Sequence, residues 1–318
     1  MGEFELIERF FRRPSNRAPD AVVLGIGDDC ALLRPPGPGQ LLAVSSDMLV
    51  EGRHFFTGTD PAAVGHKSLA VNLSDLAAMG ARPLGFTLAV ALPGIDEAWL
   101  AGFCRGMFML ADRFECPLVG GDTTRGPLTI SVTVFGQVPA GEALRRDAAS
   151  PGEDLWVSGP LGGAAFAVAA RRKGTSGIDA GALVRLDWPE PRVELGLRLR
   201  GIASAAIDLS DGLAGDLRHI LAASAGNGLM AEIFAQQIPL DPCLAGLRRE
   251  EALQFALHGG DDYELLFSAP AGERDRIRAL SPAAGVIGRL RSGSGILLTG
   301  PDGHSLPIDR SGFDHFAQ

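Results

Sequence analysis

Apolar runs of strand length alternate along this chain with segments of helical period, and glycine-flanked aspartates gather where those runs end. In the first half, residues 41–46 read as a short strand ending at Asp47, 85–92 as a second and 118–119 as a third, and 128–138 alternate as a long strand does. Asp60 and Pro61 supply an N-cap and a proline at the first helical position, and Gly80 a C-cap, so a largely buried helix fills the interval between them. A second helix is expected over 96–114. Residues 139–154 are polar, carry Pro and Gly and show no period. Beyond them the style resumes, with strands expected at 155–158, 205–209, 229–233 and 263–268 and helices at 162–172, 213–224 and 250–257. A length of 318 residues suits two domains of about 150 residues each. We place them at 1–140 and 150–318. The pattern fits an α+β or α/β fold in two domains, and propensity alone does not choose between these classes.

Composition narrows the function classes. With 46% hydrophobic and 21% charged residues the chain has enough apolar surface for folded cores, so disorder over most of its length is excluded. A formal charge of −9 opposes nucleic acid and anionic membranes as partners, because both need Lys and Arg to neutralise phosphates. An acidic chain that handles phosphorylated small molecules needs cations between its carboxylates and the phosphates. The four cysteines, Cys30, Cys104, Cys116 and Cys243, are scattered without zinc-like spacing, which reads as reduced thiols. The N-terminal residues fit an amphipathic helix rather than a signal peptide, and no apolar run approaches the ~18 residues of a membrane span. The expected location is the cytoplasm.

The aspartates carry the chemical information. Asp28 and Asp29 follow Gly-Ile-Gly; Asp47 follows Ser45 and Ser46; Asp122 follows Gly120 and Gly121; Asp208, Ser210, Asp211 and Gly212 form a D-L-S-D-G turn; Asp261 and Asp262 follow Gly259 and Gly260. Each motif alone is ordinary turn or N-cap chemistry. Five together point further, because carboxylates gathered in one cleft repel unless cations separate them. An all-oxygen ligand set suits Mg²⁺, which completes its shell with water and substrate phosphates. Ser68, Asn72 and Asp75 form one polar stripe on the first long helix. Asp75 is a shared metal ligand if that stripe faces a cleft and an ordinary exposed aspartate if it faces water. No Walker loop, protein-kinase motif set or G-x-G-x-x-G fingerprint is present, and Gly159–Gly163 before a helix is a weak anion-site signal, better read as a strand-to-helix turn.

Several segments resemble the thiamine-monophosphate kinase family. They are Gly27-Asp28-Asp29-Cys30-Ala31, Ser45-Ser46-Asp47, Gly52-Arg53-His54-Phe55, the run from Ala70 to Gly80, Gly120 to Thr124, Ile207 to Gly212, Gly259 to Leu265 and Gly312-Phe313-Asp314-His315-Phe316. The run at Asn72 and the D-L-S-D-G turn also occur in the wider superfamily of aminoimidazole ribonucleotide synthetase, selenophosphate synthetase and a hydrogenase-maturation protein. The resemblance implies transfer of phosphate from ATP to thiamine monophosphate. It also implies a homodimer whose N-terminal mixed sheets join into a β-barrel with helices outside, and a C-terminal α/β sandwich. By this resemblance Asp29, Ser45, Ser46, Asp47, Asp75, Asp122, Asp208 and Asp211 are expected to hold magnesium. Gly121, Asp122, Arg146 and Ser210 are expected to bind ATP, and His54, Asp261 and Phe313 to hold the acceptor. Asp261 stands where the family often has Glu, Ser46 where Thr is common, and Phe313 where other aromatics serve.

The acceptor is a phosphate monoester with a second pKa of about 6, already mostly dianionic at neutral pH. No general base is required; the obstacle is repulsion between two phosphate groups, which metal ions and a fixed cation such as Arg146 relieve. Three other readings share the acidic set: another synthetase of the superfamily, a non-catalytic ATP-binding maturation protein, and a metal-dependent phosphohydrolase.

Overall fold

The computed structural model describes residues 2–12, 21–26 and 30–308. The chain divides into two compact units, Met1–Leu76 with Ala81–Gly141, and Ala77–Gly80 with Glu142–Gln318. In the first unit a short helix α1 (Glu3–Leu6) runs on as a π-helical turn (Ile7–Phe11), where sequence suggests one amphipathic helix. A small antiparallel ribbon of β1 (Val22–Leu24) and β2 (Leu32–Leu33) follows. Then come β3 (Gln40–Val50), α2 (Pro61–Ala78), β4 (Arg82–Leu92), α3 (Glu97–Arg113), β5 (Leu118–Arg125) and β6 (Thr129–Pro139).

Local chemistry sets these limits. The Asp60 carboxylate accepts from Ala62 N–H at the start of α2, and Gly80 takes a left-handed φ of 63° just past its end. Asp96 caps α3 by accepting from the N–H groups of Ala98 and Trp99. β4, α3 and β5 form a crossover unit with parallel strands, as such a connection requires. The sheet order is β3-β6-β4-β5, and β6 is antiparallel to both of its neighbours.

β3 and β5 run well past the limits that the sequence suggests. Ser45, Ser46, Gly120 and Gly121 interrupt the apolar pattern, yet β3 pairs with β6 without a break from Gln40 opposite Pro139 to Val50 opposite Thr129. Asp47 and Asp122 therefore lie within edge strands and not at strand ends. One face of the sheet is covered by α2, whose Leu76 packs on Gly136 of β6. The other face carries Val44 and Met48, both more than half exposed.

α2 and α3 cross with their backbones in contact. A Cβ on Gly106 would lie 1.8 Å from the Ala62 carbonyl oxygen, and one on Gly65 would lie 2.0 Å from that of Phe103. This close approach fixes where α2 lies on the sheet.

The second unit holds a seven-stranded sheet ordered β13-β12-β9-β11-β7-β10-β8. Its elements are β7 (Asp154–Val157), α4 (Gly163–Arg172), α5 (Ala180–Asp187), α6 (Val193–Leu199), β8 (Ala205–Asp208), α7 (Leu213–Ala223), β9 (Leu229–Phe234), α8 (Arg249–His258), β10 (Leu265–Ala269), α9 (Arg274–Leu280), β11 (Gly285–Ser292), β12 (Gly295–Thr299) and β13 (Ser305–Leu306). All pairings are antiparallel except β9 with β12. β7, β8 and β10 are buried along their whole lengths, and Trp156 stacks on Phe267 at 6.0 Å between ring centroids. Among the described residues no helix is long and apolar enough to cross a membrane.

Gly106→Ala should force α2 and α3 apart and lower unfolding free energy by about 1–3 kcal/mol in urea titrations. Gly37→Ala, where nothing stands within 4 Å of the added carbon, should stay within about 0.5 kcal/mol of the parent. Equal values for the two variants would contradict the backbone contact.

Candidate functional site

In the first unit the polar stripe of α2 faces β3. Ser68 and Asn72 are fully buried and Asp75 is half-buried, so the exposed-aspartate reading does not hold. Asn72 Oδ1 accepts from the backbone N–H of Asp47 at 3.1 Å, and its amide nitrogen donates to the Ser68 carbonyl at 3.0 Å. Ser45 Oγ donates to Asp75 Oδ2 at 2.5 Å. Burial raises the Asp47 carboxyl to about 6, and the nearby Asp75 carboxylate adds to the rise. Two acids thus share a partly dry site with oxygen donors around them, a charge imbalance that a divalent cation relieves. Among the described residues no three His, Cys, Asp or Glu side chains come together to hold a metal. Magnesium does not need three, because it commonly takes one or two carboxylates and fills its shell with water and phosphate oxygens.

Ser46 and Asp122 lie elsewhere. Ser46 points to the uncovered face, where its hydroxyl is 2.9 Å from that of Thr133. Register carries Met48 across Ser131 and Ala89 to Asp122, which places Asp122 on that same face at the opposite edge. Three strand spacings separate the two edges, about 14 Å. Gly121 has a φ of 151°, and a Cβ there would lie 1.8 Å from the Leu88 carbonyl oxygen, so strand pairing alone requires glycine. His54 closes a turn after β3, its Nδ1 accepting from Val50 N–H at 3.0 Å. That bond puts the ring proton on Nε2, which becomes a donor. Asp29 and Phe313 lie outside the described residues.

In the second unit the D-L-S-D-G turn joins β8 to α7. Asp208 is buried at the end of β8, while Ser210 and Asp211 are half-buried. The backbone N–H of Asp211 donates to Asp216 in the first turn of α7 at 3.1 Å. Burial lifts the Asp216 carboxyl to about 8; the Asp211 N–H opposes this, Asp208 and Asp211 reinforce it, and the Arg146 charge opposes it. Arg146 therefore stands by the same acids, and its carbonyl accepts from Ser224 at the end of α7. Asp216 was not singled out from sequence; an acid early in a helix reads as an ordinary dipole partner.

The 259–265 segment lies along this turn. Asp261 N–H donates to the Ser210 carbonyl at 3.0 Å, Tyr263 N–H to that of Leu209 at 2.8 Å, and Leu209 N–H to that of Glu264 at 2.8 Å. The buried Glu264 carboxylate receives Arg192 and the Ser158 hydroxyl. Asp262 is buried and accepts from Gly162 N–H at 3.0 Å through both oxygens. The N-terminus of α4 is thus closed by the chain's own carboxylate, and the glycine loop before it serves as a strand-to-helix turn.

Residues 27–138 match the family model of the AIR synthase related protein, N-terminal domain. The thiamine-monophosphate kinase of Salmonella typhimurium is 44% identical over 99% of this chain and 98% of its own length. The chain belongs to the thiamine-monophosphate kinase family. The crystal structure of thiamine-monophosphate kinase from Stenotrophomonas maltophilia K279a superposes with a TM-score of 0.86 at 45% identity, covering 96% of this chain and 98% of that one. AaThiL complexed with AMPPCP and TMP gives 0.78 at 27% identity, covering 99% and 97%. The mixed α/β architecture is therefore that of the thiamine-monophosphate kinase family, over essentially the whole chain.

Within this family member, burial holds the Asp262 carboxyl well above the usual carboxylate range, with the Gly162 N–H opposing and Glu264 and Asp261 adding to the rise. A folded state that favours the protonated acid has this contribution in full below the unfolded-state pKa of about 3.9 and loses it as pH rises through the raised value. Asp262→Asn keeps the acceptor without ionising, so its melting temperature relative to the parent should climb as pH rises above about 4. Asp262→Ala strands a buried N–H and should sit about 1–3 kcal/mol below the Asn variant throughout. A constant offset for the Asn variant would rule out a buried acid at this position.

Proposed function

We propose that this chain transfers the γ-phosphoryl group of ATP to thiamine monophosphate, giving ADP and thiamine diphosphate. The observation that carries this reading is the full-length match to thiamine-monophosphate kinases, and the structural likeness to AaThiL complexed with AMPPCP and TMP supports both substrates. Ser45, Asp47 and Asp75, with Asp29, form one proposed magnesium-holding group; Asp208 and Asp211 form another. When bound, magnesium screens the repulsion between donor and acceptor phosphates and neutralises charge on the group in transfer. Asn72 keeps Asp47 in place through its backbone N–H, and Ser45 orients Asp75. Gly121, Asp122, Arg146 and Ser210 are proposed to bind ATP, with Arg146 adding a fixed positive charge. His54, through its Nε2 proton, together with Asp261 and Phe313, is proposed to hold the acceptor. No side chain need remove a proton from a phosphate dianion. The cytoplasm is the proposed location.

We also propose a homodimer in which two four-stranded sheets close into a barrel. The support is the uncovered face, on which Val44 and Met48 are both more than half exposed. Ser46 and Asp122 are further proposed metal residues, and pairing of the β5 edge of one copy with the β3 edge of another is the arrangement that brings them together.

Mass spectrometry of products from ATP, Mg²⁺ and a panel of phosphorylated acceptors should show thiamine diphosphate formed only with thiamine monophosphate, and none after EDTA treatment. Asp75→Asn should lower kcat by at least about 100-fold with its melting temperature little changed. Free phosphate without thiamine diphosphate would instead identify a phosphohydrolase. Asp122→Asn mixed with Asp75→Asn should recover part of the activity that each lacks alone if a site is shared between copies. Absence of recovery in demonstrated mixed dimers would place Asp122 in the site of its own chain.

A further inference from the structure

Residue 263 is the only tyrosine in the chain, and it stands in an unusual stretch of backbone. Asp261 and Tyr263 have φ values of 69° and 49°, a left-handed conformation that costs a non-glycine residue roughly 1–2 kcal/mol. Such strain persists only where surrounding contacts over-determine it. Here those contacts are explicit. Backbone hydrogen bonds tie Asp261 to Ser210 and Tyr263 to Leu209. Between them Asp262 is anchored at Gly162, and beyond them Glu264 is locked by Arg192 and Ser158. Asp262 is buried, whereas Asp261 and Tyr263 remain half-exposed. The Tyr263 hydroxyl donates to Asp261 Oδ1 at 3.1 Å.

We infer that Tyr263 is a positioning residue for acceptor recognition: its phenol holds the Asp261 carboxylate in the orientation that meets thiamine monophosphate. The inference rests on the reading of Asp261 as an acceptor contact. A carboxylate on a short side chain turns freely about two bonds, and one fixed oxygen removes most of that freedom before the acceptor arrives. Asp261 is one methylene shorter than Glu, so its contact depends more on where the carboxylate points. The backbone strain serves the same end, since relaxing either left-handed residue would separate hydroxyl from carboxylate.

The test compares Tyr263→Phe, Asp261→Ala and the double variant in steady-state kinetics of the full chain. Loss of one hydrogen bond should raise KM for thiamine monophosphate by roughly 5- to 10-fold in Tyr263→Phe, with kcat and the KM for ATP within about twofold of the parent. The double variant should be no worse than Asp261→Ala, because the phenol acts only through that carboxylate. Uniform labelling with 3-fluorotyrosine gives a single ¹⁹F resonance, which thiamine monophosphate should shift and which AMPPCP alone should not. If Asp261→Ala raises the KM for thiamine monophosphate but Tyr263→Phe does not, the inference fails while the acceptor role of Asp261 stands. If Asp261→Ala leaves that KM unchanged, both fall. Equal loss for both substrates together with a lower melting temperature in Tyr263→Phe would show a packing role and overturn the inference.

Discussion

The backbone contact between α2 and α3 governs the first unit. Without side chains at Gly65 and Gly106 the two helices settle against each other, and that seating decides which stripe of α2 meets β3. Ser68, Asn72 and Asp75 are polar groups pressed onto a sheet, a placement that costs free energy unless each is hydrogen-bonded. Asn72 meets the condition by bonding the backbone at Asp47 and at Ser68, and Asp75 by receiving Ser45. The helix that buries the core therefore also holds the acids in register.

In the second unit the same work is done by main chain. The 208–212 turn and the 259–265 segment exchange backbone hydrogen bonds, and glycines allow the approach: a Cβ on Gly260 would lie 2.1 Å from the Ser210 carbonyl oxygen. A residue proposed for the nucleotide and one proposed for the acceptor, Ser210 and Asp261, are thus joined directly by a backbone hydrogen bond. Displacing either segment displaces the other.

Much of this was legible in the sequence, and the failures have physical causes. Capping marked α2 and α3 to within a residue or so, because Asp60, Asp96 and Gly80 act locally. The ends of β3 and β5 were misread because pairing with β6 and β4 overrides the local preference of Ser and Gly. α5 and α6 gave too little periodicity in seven or eight residues to stand out from the arginine- and proline-bearing stretch around them. Among site residues, sequence singled out Asp47 and Asp75 but left the face of Asp75 open, since only the seating of α2 decides it. Asp216 escaped notice, and Asp262 and Tyr263 stood out only as members of the 259–265 motif with no role of their own, because their importance lies in a contact with another residue and not in a pattern.

The dimer proposed on the uncovered sheet face would have a consequence for how the protein behaves on dilution. Val44 and Met48 are more than half exposed on β3, an edge strand of the sheet among the described residues. In the proposed homodimer a second copy covers that face, and folding stability becomes a function of protein concentration, because association and folding then share one equilibrium. Such a dimer would lose that support as it is diluted towards the low concentrations of a kinetic assay. Enzyme concentration then becomes a thermodynamic variable in every rate measured, alongside pH and magnesium.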